Sequence, residues 1–423
     1  MKKILFVISI LFTISVTAQT TWQEVSTPTT KKLNTIDFPS PTIGYIGGED
    51  SLLLKTTDGG VTWIEVNFSG ISFLPNGYNF MELDFVTEDI GFATVGPYTG
   101  TYKTEDGGST WVQLNTSGSL CYNHGLYFTS PSYGFVGGAG CFQGENMDKF
   151  VSGSASPVTI NSPAGGNDII VDIDFNLNSF MQQGLAVSNG GRVLKTTDAG
   201  DTWDTIPSSL GNDIPLTSVT IVNDTLAYAG YESESASFGL LRSTDAGLTW
   251  ATDNNSATFH YPKYHDVYST PFGTVYSGGT STTTGDGVIL ESDNSGFWSI
   301  QDVDHPIYCM TSYSDTVVWG VGDSGYVVTN TTLGQLSVDE NEVEVEQEII
   351  LYPNPATDQI TVKLPSDLNN QPFEIAIYSL DGKRVKTISS NATNISISNL
   401  KSGTYIVRLR SAETIWSTRL VKP

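Results

Sequence analysis

The segment KTTDGGVTW, residues 55–63, decides the fold, because it returns as KTEDGGSTW at 103–111, KTTDAGDTW at 195–203 and RSTDAGLTW at 242–250. A degraded copy, ESDNSGFW, ends at Trp298. Successive copies end 47 or 48 residues apart, except for one gap of 92 residues between Trp111 and Trp203. A fixed spacing of this size indicates stacked supersecondary units. The long gap has room for one unit whose signature has been lost.

A second marker counts the units. Apolar strands that contain glycine or alanine recur seven times, 43 to 50 residues apart: GYIGG from Gly44, GFATVG from Gly91, GFVGG from Gly134, GLAVSNGG from Gly184, AYAG from Ala227, GTVYSGG from Gly273 and VWGVG from Val318. The missing signature therefore belongs to a third unit, near residues 149–159.

Each unit has the pattern of four short strands, which in the first unit are LNTIDF, IGYIGG, SLLLKT and TWIEV. Repeated four-stranded units predict a β-propeller, with small residues where blades crowd together. The last unit has VVTNTT but no following tryptophan strand, whereas TTWQEV at residues 20–25 has no preceding hairpin. We expect this N-terminal strand to complete blade seven and so to remove an open sheet edge.

The repeated segments resemble the Asp-box (BNR-like) repeat, Ser/Thr-x-Asp-x-Gly-x-Thr-Trp, of sialidases, sortilin-like receptors, xyloglucan-cleaving hydrolases and photosystem assembly-factor propellers. The four complete copies match it at every defined position. This resemblance implies a fold rather than an activity, because those families have unrelated functions on the same architecture. The positions that match are Asp58, Gly60, Trp63, Asp106, Gly108, Trp111, Asp198, Gly200, Trp203, Asp245, Gly247 and Trp250.

The chemistry of these residues favours a structural role. An aspartate before glycine can accept backbone N–H bonds in a turn, and glycine tolerates positive φ. The tryptophan that follows can pack between blades. We therefore assign the repeated aspartates to the turns, with a repeated ligand site as the alternative.

The body of the chain lacks the catalytic or binding residues that several classes of protein need. A sialidase needs three arginines that converge on the substrate carboxylate, and the body has Arg192 and Arg242 alone. The arginine-rich binding face of the photosystem-factor propellers is absent for the same reason. The string GDSG at residues 322–325 resembles a chymotrypsin-like nucleophile loop, but no matching histidine and aspartate motif accompanies it, and we expect a hairpin turn.

Glycoside hydrolysis needs two carboxylates, one of them kept protonated. Candidates at the predicted inner strands are Asp37, Asp84, Asp172, Asp174 and Asp266. Because the body has 34 acidic residues, coincidental pairs are expected. The xyloglucan-cleaving relatives normally have two propellers with a cleft between them, and this chain has one.

No metal or cofactor site is predicted. His124, His260, His265 and His305 lack zinc-type spacing, and His260 and His265 are the one close pair. Aromatic residues in predicted loops could instead form stacking platforms for sugars or contacts for a protein, although each could pack on its own blade. They are Tyr78, Phe80, Tyr98, Tyr122, Tyr231, Tyr261 and Tyr264.

Both chain ends carry export features. MKKILFVISILFTISVTA, residues 1–18, has two lysines, a short apolar run and small residues before the expected cleavage point, which is typical of a secretory signal peptide. The body has nine basic against 34 acidic residues, which disfavours nucleic acid and anionic membranes as partners. In an oxidising compartment, Cys121 and Cys141 could form a disulfide bond, or remain buried thiols, with Cys309 unpaired.

The tail is a separate domain. SVDENEVEVEQE, residues 337–348, has the charge density of a linker, and alternating strands from residue 349 to residue 423 predict a small β-sandwich. This domain resembles the type A C-terminal sorting domain of the type IX secretion system. The resemblance implies recognition of the folded tail by the outer-membrane translocon. The residues that carry it include Tyr352, Pro353, Asn354, Pro355, Gly403, Tyr405 and Lys422.

The sequence thus predicts an all-β protein in which residues 19–336 form a seven-bladed Asp-box propeller and residues 349–423 a small β-sandwich. We expect a secreted or surface-exposed module that binds a glycan or a protein without catalysis. The alternative is a secreted polysaccharide-degrading hydrolase that uses a carboxylate pair.

Overall fold

The computed structural model describes residues 21–71, 78–96, 100–114, 120–140, 145–151, 157–161, 168–176, 182–208, 214–232, 238–253, 263–270, 273–292, 297–314, 317–331, 350–363, 374–379, 384–388, 393–401, 403–410 and 415–422. Within these ranges no helix is long and apolar enough to cross a membrane. The predicted signal segment, the predicted linker and Cys141 lie outside them, as does the side chain of Cys121.

Seven four-stranded antiparallel sheets, named here I to VII, follow one another in the described part of the body. Sheet I contains β2 Leu33–Asp37, β3 Gly44–Gly48, β4 Leu53–Thr56 and β5 Ile64–Glu65. Sheet II contains β6 Asn79–Phe85, β7 Gly91–Gly96, β8 Gly100–Thr104 and β9 Val112–Gln113. Sheet III contains β10 Leu120–Ser130, β11 Tyr133–Gly140, β12 Glu145–Phe150 and β13 Val158–Asn161.

The remaining body sheets have the same strand order. Sheet IV contains β14 Ile170–Phe175, β15 Gly184–Ser188, β16 Val193–Thr196 and β17 Asp204–Ile206. Sheet V contains β18 Leu216–Ile221, β19 Ala227–Glu232, β20 Phe238–Ser243 and β21 Ala251–Thr252. Sheet VI contains β22 Lys263–Ser269, β23 Val275–Thr280, β24 Gly287–Ser292 and β25 Ser299–Val303. Sheet VII contains β26 Ile307–Ser314, β27 Val317–Gly322, β28 Val327–Thr329 and the N-terminal strand β1 Gln23–Val25.

The N-terminal strand completes sheet VII, and the predicted pairing of this strand is confirmed. Gln23 lies opposite Thr329 and Val25 opposite Val327, in antiparallel register. Val25 is buried in a core shared with Trp319 of the same sheet and Leu33 of sheet I. The two distant parts of the chain are therefore held together by backbone pairing and by apolar packing.

The first strand of each sheet is its innermost strand, and it lies against the first strand of the next sheet. The series closes, because β26 of sheet VII lies against β2 of sheet I. Apolar cores fill the spaces between neighbouring sheets. In one of these cores Phe38 of sheet I stacks on Trp319 of sheet VII, with ring centroids 5.2 Å apart.

Small residues in the second strands permit this close packing. All five residues of GYIGG in β3 are buried, because both faces of the strand are covered. A Cβ at Gly47 would lie 2.6 Å from Cβ of Phe80 in sheet II. Glycine therefore removes the side chain where two sheets meet.

The tail forms two further antiparallel sheets that share one core. One contains β29 Ile350–Tyr352, β30 Gln359–Lys363 and β33 Asn394–Ser396. The other has the order β32 Arg384–Ile388, β31 Glu374–Ser379, β34 Gly403–Arg410 and β35 Ile415–Lys422. Ile360 and Ile395 of the first sheet pack with Ile377 and Val407 of the second.

Candidate functional site

Carboxylates on the innermost strands reach across to the next sheet. Asp37 Oδ2 accepts a hydrogen bond from the Phe85 backbone N–H at 2.6 Å, and Asp84 Oδ2 accepts one from Phe128 at 2.5 Å. The same bond, at 2.6 to 2.7 Å, joins Asp174 to Ile221, Asp172 to Val219 and Asp266 to Met310. An innermost strand has an open edge toward the centre, so these bonds satisfy N–H groups that no further strand pairs.

The innermost strands present these side chains in two rows because each has a register shift near its start. In β2 the shift lies between Leu33 and Thr35, and in β14 it lies between Ile170 and Asp172. The first row follows the shift and the second lies two residues later, on the same face. The first row includes Thr35, Glu82, Asp172, Ser218, Asp266 and Cys309, and the second includes Asp37, Asp84, Asp174, Thr220, Tyr268 and Thr311.

Sequence reasoning identified five of these acids as candidate hydrolase residues and missed Glu82 and Ser218. The signal that could have found them is polar alternation in an otherwise apolar strand, as in Glu82-x-Asp84 and Ser218-x-Thr220. We name Asp37, Glu82, Asp84, Asp172, Asp174 and Asp266 the inner-strand carboxylates. None of the six forms a salt bridge within the described residues.

Burial raises the pKa of every inner-strand carboxylate, because the charged form loses its hydration. The pKa of Asp37 rises to about 6, and the pKa of Asp174 and of Asp266 to about 7. Burial and then the negative charge of neighbouring acids hold the pKa of Glu82 well above its usual value, and Glu82 Oε2 is buried without a partner in the described part of the chain. The inner edge thus keeps some of these acids protonated at pH values where an exposed carboxyl group is charged.

Asp172 and Asp266 are the pair that best fits the spacing of glycosidase carboxylates. Each contributes an oxygen 2.9 Å from Ser218 Oγ, so these two oxygens are within about 6 Å of each other. Asp172 also accepts N–H bonds from Ile173 and Val219, both at 2.7 Å. A nucleophile or general base needs an oxygen directed at substrate or water, and both oxygens of Asp172 already face backbone donors.

A second polar cluster lies at the start of the innermost strands, where β22, β26 and the residue before β2 meet. Lys32 Nζ lies 3.6 Å from the centroid of the Tyr308 ring, and the His265 ring is 4.7 Å from that centroid. Tyr308 donates its hydroxyl hydrogen to Asp323 Oδ2 at 3.0 Å. Asp323 belongs to the GDSG string, which forms the predicted turn between β27 and β28.

His265 is not placed to bind a metal. Its Nε2 lies 2.8 Å from Thr280 Oγ1, and burial lowers its pKa to about 4, although the charge of Glu232 opposes this shift. His260 lies outside the described residues. Among the residues that the structure describes, no group of three or more histidine, cysteine, aspartate or glutamate side chains could hold a metal ion.

The prediction of exposed aromatic platforms is wrong for every candidate residue whose side chain the structure describes. Tyr78, Phe80, Tyr231 and Tyr264 are at most 5% exposed and belong to the cores between sheets. Tyr98 and Tyr261 lie outside the described residues, as does the side chain of Tyr122. Each of these four rings lies within two residues of the end of a strand, where the alternation of buried and exposed residues is hard to recognise in the sequence.

The repeated segments form the turns between the third and fourth strands. In the first, Asp58 Oδ1 accepts hydrogen bonds from the Thr56 hydroxyl at 2.7 Å and the Thr62 N–H at 2.9 Å, while Oδ2 accepts the Thr62 hydroxyl at 2.5 Å. The bonds recur around Asp106, Asp198 and Asp245 at 2.6 to 2.9 Å. Because these bonds favour the charged form more than burial opposes it, the pKa of each aspartate is lowered, to about 2 for Asp245.

The glycine and the tryptophan of each segment contact the preceding sheet or lie in the core beside it. Gly60, with φ of +85°, lies against Trp319, and Gly200, with φ of +77°, lies against Phe135. Gly108 meets Leu53, and Gly247 meets Leu185. Trp63, Trp111, Trp203 and Trp250 are each at most 6% exposed.

Basic residues of the third strands connect these turns to the preceding sheet. Lys195 Nζ of sheet IV donates to the Ala246 carbonyl in the turn of sheet V. Lys149 Nζ of sheet III donates to the Ala199 carbonyl and to Asp201, both at 2.7 Å. Lys149 is at the start of the segment of sheet III whose Asp-box sequence has been lost, and it still contacts the Asp-box turn of sheet IV.

The sorting-domain motifs at the two ends of the tail lie side by side. Asn354 Oδ1 accepts the Val421 N–H at 2.8 Å, and Lys422 Nζ donates to the Thr357 carbonyl. Tyr405 is buried and donates its hydroxyl hydrogen to the Lys401 carbonyl at 2.7 Å. Tyr352 is 51% exposed and precedes Pro353 and Pro355, both of which follow cis peptide bonds, and Gly403 begins β34.

Two parts of the chain match known families. Residues 350–423 match the Secretion system C-terminal sorting domain, and residues 14–121 match the Photosynthesis system II assembly factor YCF48. No curated protein matches the chain.

Solved structures share the fold at low identity. The WD40 β-propeller domain of Doa1 is 14% identical, with a TM-score of 0.52, over 74% of this chain and 97% of that one. An ancestral GH74 enzyme is 12% identical, with a TM-score of 0.52, over 95% of this chain and 64% of that one. The extracellular domain of BT4673 from B. thetaiotaomicron is 11% identical, with a TM-score of 0.52, over 93% of this chain and 57% of that one. This chain thus spans less than two thirds of the last two.

Identities of this size carry the fold alone. The chain is therefore an all-β protein of propeller type whose first repeats match the YCF48 family, and its residues 350–423 are a type IX secretion C-terminal sorting domain, which directs export to the cell surface or the medium.

Proposed function

We propose that the mature protein is a secreted or surface-exposed module that binds a glycan or a protein and catalyses no reaction. In this proposal residues 1–18 are a signal peptide, residues 19–336 a seven-bladed Asp-box propeller, residues 337–348 a linker and residues 349–423 a β-sandwich sorting domain. The sorting domain interacts with the secretion system, and the propeller is the exported cargo.

The observation that carries the non-catalytic part of the proposal is the use of the inner-strand carboxylates. Five of the six accept backbone N–H bonds from the next sheet at 2.5 to 2.7 Å. These bonds occupy the oxygens that acid–base chemistry would need. The pair Asp172 and Asp266 has the spacing of a hydrolase, but its shared partner is Ser218 rather than an open cleft.

The binding surface is expected at the end of the sheets that lacks the Asp-box turns. In each sheet the turns between first and second strands and between third and fourth strands lie at one end, because the strands are antiparallel. The connections between sheets leave from the opposite end and do not repeat in sequence. The cluster of Lys32, Tyr308, His265 and Asp323 lies at that opposite end.

Lys32 is the side chain of this cluster best placed to meet a ligand. Its ammonium packs on the Tyr308 ring and forms no salt bridge within the described residues. An ammonium held over an aromatic ring keeps donors available for hydroxyl or carboxylate oxygens of a ligand. Loops of variable sequence around it would supply specificity.

The test is a screen of the full mature chain against glycans and bacterial surface proteins, run beside a turnover panel of plant and algal polysaccharides. We expect binding without release of sugar. Lys32→Gln should weaken binding at least several-fold. The control is Lys103→Gln in β8, which removes an ion pair with the exposed Glu105 and should leave binding unchanged. Release of reducing sugar that disappears in Asp172→Asn would favour the hydrolase alternative and reject the proposal.

A further inference from the structure

Ser218 connects two carboxylates that belong to different sheets. Its Oγ is 2.9 Å from Asp172 Oδ2 of sheet IV and 2.9 Å from Asp266 Oδ1 of sheet VI. A serine hydroxyl has one proton and two lone pairs. It can donate to one of the two carboxylates, so the other carboxyl group must donate to Ser218 for both contacts to be hydrogen bonds.

The surrounding donors decide which carboxyl group holds the proton. Asp172 Oδ1 accepts the Ile173 N–H and Oδ2 accepts the Val219 N–H, both at 2.7 Å, so a proton on either oxygen would face another donor. Asp266 uses Oδ2 for the Met310 N–H at 2.7 Å, and its Oδ1 lies 2.9 Å from Ser218 Oγ. The Val267 N–H also interacts with the Asp266 carboxyl group, but it donates to Ser218 Oγ at 3.2 Å. Charged Asp172 and protonated Asp266 therefore satisfy the donors around them.

The same assignment saturates Ser218. Its oxygen accepts the Val267 N–H at 3.2 Å on one lone pair and the Asp266 hydroxyl on the other. Its own proton goes to Asp172 Oδ2 at 2.9 Å, which is nearer than the Val267 carbonyl at 3.3 Å. If both carboxylates were charged, one short oxygen–oxygen contact would have no proton between its atoms and would be repulsive.

We propose that Asp266 carries a proton in the folded protein and that Asp266, Ser218 and Asp172 form a proton-dependent clasp, which joins sheets VI, V and IV at their inner edge and opens when the proton leaves. The inference is independent of any ligand, because it concerns a hydrogen-bond chain within the protein. It assigns the carboxylate pair a structural and pH-sensing task.

The neighbours of the clasp oppose a second negative charge. The titratable groups that interact with the clasp are Glu82 of sheet II, Asp174 of sheet IV and, beside Asp266, the thiol of Cys309 of sheet VII. Asp84 lies beside Glu82 and Asp37 beside Asp84, and the His124 ring of sheet III contacts the Val171 carbonyl next to Asp172. Burial lowers the pKa of His124, so it supplies no charge near neutral pH. Burial, followed by the charge of Asp172, raises the pKa of Asp266 to about 7. The clasp is thus closed at mildly acidic pH and opens above neutral pH.

Infrared difference spectroscopy of the full mature chain tests the location of the proton. Asp37 and Asp174 also titrate near neutral pH, so the Asp266 band is identified as the carboxylic-acid C=O component that is present in the wild type, lost in Asp266→Asn and kept in Asp172→Asn. A wild type without such a band, or a band removed by Asp172→Asn and kept in Asp266→Asn, would overturn the assignment.

Thermal unfolding of the same variants tests the clasp. An amide at position 266 can donate to Ser218 and accept from Met310, so Asp266→Asn should keep the Tm of the acidic form and flatten its change from about pH 4 to about pH 8. Asp172→Asn places an NH₂ group against an N–H donor and should lower the Tm by several degrees at every pH. If the two substitutions have equal effects, simple charge repulsion explains the pair and the clasp is rejected.

Discussion

Gly60 lies directly against the indole of Trp319, so that a Cβ on Gly60 would be 2.3 Å from Cη2 of that ring. Gly60 is in the repeated turn of sheet I, and Trp319 is in β27 of sheet VII. We expect Gly60→Ala to lower the free energy of unfolding by roughly 2–4 kcal/mol, because it adds overpacking to an unfavourable positive φ of +85°. Chemical denaturation followed by tryptophan fluorescence measures the change.

Gly285 is the matched control for this prediction. Its φ is +83°, but a Cβ there would meet no heavy atom within 4 Å. Gly285→Ala should therefore cost about 1 kcal/mol, which is the conformational part alone. Equal losses for the two variants would contradict a packing role for Gly60.

Asp245 ties its turn through four hydrogen bonds, from the Ser243 and Thr249 hydroxyls and from the Leu248 and Thr249 N–H groups. These bonds, led by the Thr249 hydroxyl, lower the pKa of Asp245 to about 2. A lowered pKa means that the stabilisation is complete above the unfolded value of 3.8 and is lost as pH falls through about 2.

We therefore expect Asp245→Ala to lower the Tm by a few degrees near pH 6, and the difference from the wild type to shrink as the pH falls below 4. Differential scanning calorimetry across this range measures both. Asp302→Ala, on the exposed face of β25, controls for loss of a surface charge. A difference that stays constant down to low pH would contradict the hydrogen-bond explanation.

Asp174 has the opposite pH dependence. Burial raises its pKa to about 7, so the folded state binds the proton more tightly than the unfolded chain does. Its contribution is complete below the unfolded value of 3.8 and is lost as pH rises through about 7.

Asp174→Asn should therefore reduce the fall in Tm between about pH 4 and about pH 8. The amide oxygen can still accept the Ile221 N–H, but the NH₂ group then faces the Phe175 N–H that Oδ1 accepts at 2.7 Å. Asp174→Asn should therefore also lower the Tm at every pH, and the slope of Tm against pH is the quantity to compare. Glu65→Gln, on the exposed strand β5, is the control. An unchanged slope in Asp174→Asn would show that this carboxyl group does not titrate in that range.

Asn354 links the start of the sorting domain to its end by accepting the Val421 N–H at 2.8 Å. Asn354→Ala removes this acceptor, and we expect export of the full chain to fall several-fold, with the chain retained in the periplasm. Asn354→Asp keeps an acceptor oxygen and should export nearly normally. Quantitative immunoblots of medium, surface and periplasmic fractions measure the result, and normal export of Asn354→Ala would reject the role of this contact.

Much of the fold could be predicted because it repeats. The spacing of the tryptophan segments and of the glycine-containing strands indicated consecutive four-stranded units, and unmatched strands at residues 20–25 and 327–332 predicted their pairing across the chain. Each inference needs local alternation and counting alone. The positions of Tyr78 and Tyr264 could not be predicted in this way, because a ring at the end of a strand is buried or exposed according to the neighbouring sheet.

The candidate site was predictable in composition but not in geometry. The sequence shows acids on the inner strands, yet the register shift before Thr35, Asp172 and Asp266 changes the phase of the alternation and turns them toward the next sheet. No single strand reveals such a shift. The sequence signal of Ser218 is weak, because its alternation with Thr220 in LTSVTI is common in ordinary strands.

By itself, the sequence determined the repeat, the strand class of the body and the sorting tail, because these depend on periodicity and on short motifs. The tertiary structure alone decided what the acids do. Asp172 and Asp266 are 94 residues apart in the chain and meet through Ser218 because three sheets bring their innermost strands together. Burial at that edge favours the protonated form of a carboxyl group, whereas the N–H donors around Asp172 favour its charged form. The two effects together leave one member of the pair charged and the other protonated.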